Sequence, residues 1–169
     1  MSATAIPTSS TEPASKRRTL LSADVTEEYL RSAAPGQGSI TFEDGYKVKG
    51  HQAEINMADW LHCEFGGDII LLVESKTQGD RTPDYRWNGR SWELKGVTSK
   101  NSVDRAIREA AKQIQDNPGG IILDTSDSAL SDEAIENTIS QRMRRAALDL
   151  VDILIVSDKK LKKILRYKR

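Results

Sequence analysis

Two acids and a lysine crowd a short stretch, residues 82–96, TPDYRWNGRSWELKG. Asp84 and Glu93 flank an Asn88-Gly89 pair, and Lys95 follows Glu93 by two residues. Asn-Gly between alternating residues is a strong hairpin signal, because both tolerate the positive φ angles of a type I′ turn. A two-residue loop sets Trp87 opposite Arg90, Arg86 opposite Ser91, Tyr85 opposite Trp92 and Asp84 opposite Glu93. Strand alternation then gives Tyr85, Trp92 and Leu94 one face, and Asp84, Glu93 and Lys95 the other. The aromatic pair stabilises the hairpin, whereas two carboxylates about 5 Å apart at Cβ destabilise it unless a positive charge compensates. A divalent cation supplies that charge, and Mg²⁺ favours one or two carboxylates together with water and substrate phosphate. The plainer alternative is that one acid turns to solvent or pairs with Arg86 or Lys95. The hairpin alone leaves both open.

The elements around this hairpin alternate in type. Residues 51–65, HQAEINMADWLHCEF, place Ala53, Met57, Ala58, Leu61 and Phe65 at helical spacing, and Gly66-Gly67 stops the helix. DIILLVES (68–75) is a continuous apolar run, as in a strand covered on both faces. SVDRAIREAAKQIQ is a second helix, GIILD a buried strand, DEAIENTISQRMRRAALDL a third helix and VDILIV a last strand. SITFEDGYKVKG reads as a small hairpin around Asp44-Gly45. The order α-β-β-β-α-β-α-β predicts an α/β fold, a mixed sheet between layers of helix.

Composition narrows the classes. Basic and acidic residues balance at 25 each in a 169-residue chain, so no global field announces a polyanionic partner. Residues 1–36 are rich in Ser, Thr, Ala and Pro and read as a flexible leader with a short helix at DVTEEYLRSA, leaving 37–169 as one domain. The last twelve residues, DKKLKKILRYKR, carry seven basic side chains against one acid and read as a basic tail. Cys63 is the only cysteine, which excludes an internal disulfide and a cysteine-built zinc site. His51 and His62 read as ordinary residues, and Trp60, Trp87 and Trp92 as packing. No apolar run approaches the ~20 residues of a membrane span, and the N-terminal segment lacks the apolar stretch of a secretory signal.

A third carboxylate, Glu54, falls on or beside the apolar stripe of the first helix. An ionised acid there is costly unless paired or metal-bound, although an edge position can also reach water. Pro83-Asp84 followed by Glu93-Leu94-Lys95, after a helix bearing Glu54 and before one bearing Gln113, resembles the PD-(D/E)xK nuclease superfamily. The surrounding text resembles one branch, the C-terminal tRNase domain of contact-dependent growth inhibition toxins. That text comprises HQAEINMADWL, GGDIILLVES, PDYRWNGRSWELKG, AAKQI and GIILD, spread over His51 to Val156.

The resemblance implies a restriction-endonuclease-like three-layer core and a metal-dependent endonuclease cleaving RNA, with tRNA the expected substrate. Asp84 and Glu93 would be metal ligands, Glu54 would complete or support the metal shell, and Lys95 would orient the nucleophile. Gln113 would support the site, with neighbouring Lys112 as the alternative contact. The metal implied is Mg²⁺ or Mn²⁺, with Zn²⁺ a further candidate. Such a domain would act in the cytoplasm of a target cell and have a cognate immunity protein. Phosphodiester cleavage fits the residues, because a carboxylate-held metal generates a nucleophile at neutral pH and stabilises charge on phosphorus. Ser99, Lys100, Arg142 and Arg145 are candidate nucleic-acid contacts. Capping by Asn101 or Ser102 and a solvated helix face explain the same positions. The rivals are a DNA endonuclease of the same fold and a non-catalytic nucleic-acid-binding module.

Overall fold

The computed structural model describes residues 18–75, 77 and 81–169. The elements run β1 (Leu21–Asp24), α1 (Thr26–Ser32), β2 (Ile40–Phe42), α2 (Gln52–Glu64), β3 (Ile69–Leu71), β4 (Tyr85–Trp87), β5 (Arg90–Gly96), α3 (Lys100–Ile114), β6 (Pro118–Asp124), α4 (Asp132–Met143), β7 (Leu150–Ser157) and β8 (Lys160–Lys168). One eight-stranded mixed sheet has the order β1-β8-β7-β6-β5-β4-β3-β2. The stretch from α2 to β7 reproduces the expected α-β-β-β-α-β-α-β succession, and the α/β class holds.

Alternation along the central strands sorts side chains into two cores. Ile121 and Leu123 of β6 and Ile153 and Ile155 of β7 pack with α3 and α4, while Ile122 and Leu154 join Trp87, Trp92 and α2 on the other face. Strands buried on both faces are therefore apolar throughout, the pattern that GIILD and VDILIV display. Trp87 and Trp92 lie 4.9 Å apart between ring centroids, so their assignment to packing holds. Trp92 lies against Gly119 and Gly120. A Cβ at Gly120 would stand 2.3 Å from the Trp92 ring and from the Asp152 carbonyl oxygen, so only glycine admits the indole.

Five expectations are corrected. The leader does not run to residue 36: β1 pairs antiparallel with β8, and α1 packs beside it. Tyr29 of α1 donates its hydroxyl to the buried Asp152 carboxylate, which Arg166 grips through Nε (2.7 Å) and Nη2 (2.9 Å). Residues 1–17 of that expected leader lie outside the described residues. The basic tail is a strand, since β8 follows a tight turn with positive φ at Asp158 and Lys159 and buries Ile164, Leu165 and Tyr167. Just past β8, Arg169 donates to the Met143 and Arg144 carbonyls at the end of α4 and to the Leu148 carbonyl beyond it. That helix stops at Met143 rather than running to 150.

The hairpin expected at Asp44-Gly45 has one strand only. β2 pairs in parallel with β3, and the Tyr46 amide turns back to the Glu43 carbonyl (3.0 Å). Finally, the strand expected over 68–75 stops at Leu71. Beyond it the Leu72 amide still donates to the Asp84 carbonyl (3.1 Å), and side chains then take over, the Val73 amide held by Glu43 Oε1 and the Ser75 amide by Thr82 Oγ1.

Because β8 fills both cores, deleting residues 160–169 should abolish cooperative thermal unfolding followed by circular dichroism. A truncated chain that melts like the full one would show β8 to be dispensable.

Candidate active site

The hairpin forms as its residues dictate. Asn88 and Gly89 take φ of 49° and 79°, and the register is Tyr85↔Trp92, Arg86↔Ser91 and Trp87↔Arg90. Past Tyr85 the ladder ends, and side chains replace it. The Asp84 amide donates to Glu93 Oε1 (2.9 Å), and the Leu94 amide donates to Asp84 Oδ2 (2.8 Å). Each acid thus holds the other strand's backbone, which brings the two carboxylates together. Glu93 is 4% exposed. Burial, then the Asp84 charge, pushes its carboxyl up to about 9. Burial likewise raises Asp84, with Glu54 adding to the rise.

Trp92 and Leu94 face α2, so Glu93 and Lys95 face α3. There Lys95 Nζ sits 3.6 Å from Glu93 Oε2 and 3.6 Å from Glu109 Oε2. Two acids from different elements therefore share one ammonium. Gln113 is one helical turn beyond Glu109. Among the described residues its Oε1 is the only buried side-chain oxygen or nitrogen lacking a hydrogen-bond partner. An orphaned acceptor of this kind costs about 1–3 kcal/mol, which suits a position built for a ligand.

A cleft of about 720 Å³ collects these groups: Asp84, Glu93, Lys95, Glu54 and Gln113 all line it. Glu54 arrives from α2, whose backbone is fixed when the Tyr85 hydroxyl donates to the Glu54 carbonyl (2.6 Å). The five residues that sequence reasoning nominated, from α2, β5, α3 and the residue just before β4, thus converge on one cavity. Among the described residues no group of three acidic, histidine or cysteine side chains is gathered tightly enough to hold a metal ion. The close pair is Asp84 and Glu93, with Glu54 set further back in the wall. An oxygen-rich set of one buried and one half-buried carboxylate and an unpaired amide oxygen fits Mg²⁺ or Mn²⁺ better than Zn²⁺.

The second tier of candidates lies elsewhere. The Ser99 hydroxyl caps α3, accepting from the Ser102 amide (3.2 Å) while Ser102 Oγ accepts from the Ser99 amide (2.8 Å). The cap is therefore Ser99 rather than Asn101 or Ser102, because the box needs its two serines three residues apart. Lys100 opens that helix, exposed and outside the cleft. Arg142 is held bidentately by Asp104 (2.6 and 2.8 Å), and Arg145 reaches the same carboxylate. Sequence reasoning missed Glu109, Tyr46, Lys47 and Arg81. The last three line the cleft from loops that no periodicity marks.

The family model of the contact-dependent growth inhibition CdiA C-terminal domain matches residues 81–161. That span contains Asp84, Glu93, Lys95, Glu109 and Gln113. A solved CdiA-CT/CdiI toxin and immunity complex from Burkholderia pseudomallei contains a chain of similar fold. It aligns with a TM-score of 0.51 at 16% identity, over 74% of this chain and 98% of that one. Among curated protein sequences none matches significantly. No helix among the described residues is long and apolar enough to cross a membrane.

The raised carboxyl values carry a sign. A folded state that keeps a proton on Glu93 binds more protons at neutral pH than the unfolded chain, so stability falls as pH rises. In metal-free buffer, urea unfolding should show this loss between about pH 4.5 and pH 9. Glu93→Gln, which keeps the acceptor for Asp84, should flatten the slope. Equal slopes in both proteins would contradict the paired burial.

Proposed function

We propose that this chain is a metal-dependent endoribonuclease of the contact-dependent growth inhibition toxin type, with tRNA as substrate. The observation that carries the reading is the hydrogen-bond-crossed Asp84–Glu93 pair, its Glu93 buried, with Lys95 at hand in an open cleft. It lies within the segment that the toxin-domain family model matches. The resemblance of the Pro-Asp and Glu-x-Lys segments to tRNase domains supports RNA as the substrate.

Asp84 and Glu93 would hold a divalent cation, with Glu54 supporting through water and Gln113 Oε1 offering a neutral acceptor. When bound, the cation would supply a low-pKa water and charge stabilisation at phosphorus. The protein's own part is positional. The crossed backbone hydrogen bonds fix both carboxylates, so little rearrangement is needed on binding. Lys95, suspended between Glu93 and Glu109, would turn its ammonium to the reacting phosphate once cation charge occupies the acids. Lys47 and Arg81 would draw the substrate backbone into the cleft. An immunity protein is the proposed partner, as the toxin of the solved complex has one.

Two measurements test this. Wild type incubated with total tRNA, plasmid and single-stranded DNA in Mg²⁺ should cleave tRNA, and Glu93→Gln should abolish cleavage while remaining folded. Cleavage of DNA alone would move the substrate class, and unaltered cleavage by Glu93→Gln would remove the site. Separately, millimolar Mg²⁺ or Mn²⁺ should raise the melting temperature of wild type but not of Asp84→Asn, since a ligand bound only by the native state stabilises it. A flat response in wild type would count against the metal pair.

A further inference from the structure

Residues 42–51, FEDGYKVKGH, form two consecutive turns at the rim of the cleft. The Tyr46 amide donates to the Glu43 carbonyl (3.0 Å) and the His51 amide to the Val48 carbonyl (3.1 Å). Gly45 and Gly50 make both turns possible with φ of 87° and 88°. The turns line up three rings. Phe42 and Tyr46 lie 5.2 Å apart between centroids, and Tyr46 and His51 also 5.2 Å. Tyr46 and His51 line the cleft, and Phe42 extends the row outward, 46% exposed.

Packing does not account for Phe42. It belongs to neither core cluster and sits on a three-residue edge strand, where an exposed aromatic ring is a liability natural sheets avoid. The inner end of the row meets the acids. Tyr46 shares the cleft wall with Glu54 and Asp84, whose charges, after burial, raise its hydroxyl to about 12. Lys47 and Arg81 line the same cleft. One cleft thus gathers a carboxylate pair, two cations and the inner rings of the row, the groups that a scissile phosphate, its flanking phosphates and a neighbouring base would each require.

We infer that the Phe42–Tyr46–His51 row is a subsite for an unpaired nucleobase next to the cleaved phosphate, with Lys47 and Arg81 taking adjacent backbone phosphates. This rests on the nuclease reading and narrows its substrate to a single-stranded segment, such as a loop or an end. A base inside a duplex has both faces covered by its neighbours and cannot stack on a protein ring. Aromatic stacking tolerates any base, so the row selects strandedness rather than sequence.

The test uses full-length Glu93→Gln protein and short single-stranded RNAs carrying 2-aminopurine at each position in turn. Binding should quench one position, and the matching duplex should bind more weakly. Adding Phe42→Leu or Tyr46→Leu, which keep apolar bulk but remove the π-face, should weaken binding about tenfold and abolish the quench. Phe42→Trp should preserve both. Leucine variants that bind and quench like the parent, duplex binding equal to single strand, or no RNA binding by the Glu93→Gln parent would each overturn the subsite. Cleavage of tRNA by otherwise wild-type protein would stand independently of those failures. Quenching without any wild-type cleavage would keep the subsite and remove the nuclease.

Discussion

The structure turns on an exchange of hydrogen bonds where a β-ladder runs out. Asp84 and Glu93 each use one carboxylate oxygen to hold the other strand's amide, at 2.9 and 2.8 Å. A hairpin that simply continued would satisfy the Leu94 amide with a carbonyl and leave both acids free to diverge. Here the backbone needs the carboxylates, and they are brought side by side under burial. The cost is charge repulsion in a poorly solvated place, visible as the raised Glu93 and Asp84 carboxyls. Protons relieve it in the bare protein. A divalent cation would relieve it better, and the proposed metal site rests on that preference.

The rest of the fold keeps this exchange in place. Tyr85 and Trp92 anchor the hairpin stem in the core under α2, and the glycines at 119 and 120 let Trp92 lie flat on β6. On the opposite face α3 delivers Glu109 and Gln113 to the same neighbourhood. Sheet alternation separates the two jobs, since Trp92 and Leu94 hold the strand down while Glu93 and Lys95 stay available. The unpaired Gln113 oxygen and the shared Lys95 ammonium are both features that a protein selected only for stability would have removed.

Much of this was legible in the residues because it is local. Asn88-Gly89 determines its own turn, and the register of three pairs follows from it by counting. The apolar runs GIILD and VDILIV announce strands covered on both sides. What escaped was non-local. Lysines alternating with Leu161, Ile164, Leu165 and Tyr167 disguised β8 as a tail, because charge density outweighs a period-two pattern when its partner strand is unknown. The short helix at DVTEEYLRSA was legible and is α1, but the Ser- and Thr-rich start concealed β1 and the docking of this segment, in which Tyr29 meets Asp152 across 123 positions of chain. Glu109 looked like any polar residue of an amphipathic helix. Only the pairing of β5 beside α3 shows it holding Lys95. Tyr46, Lys47 and Arg81 sit in loops, where spacing carries no meaning until the chain folds back.

The central claim is that Asp84 and Glu93 together form a cation site. Crystals of the protein soaked in MnCl₂ and measured for anomalous scattering test it most directly. The account predicts a peak bridging the Asp84 and Glu93 carboxylates, with the Lys95 ammonium displaced from Glu93. A well-diffracting crystal with no peak between those carboxylates, or with manganese bound only elsewhere, would contradict it.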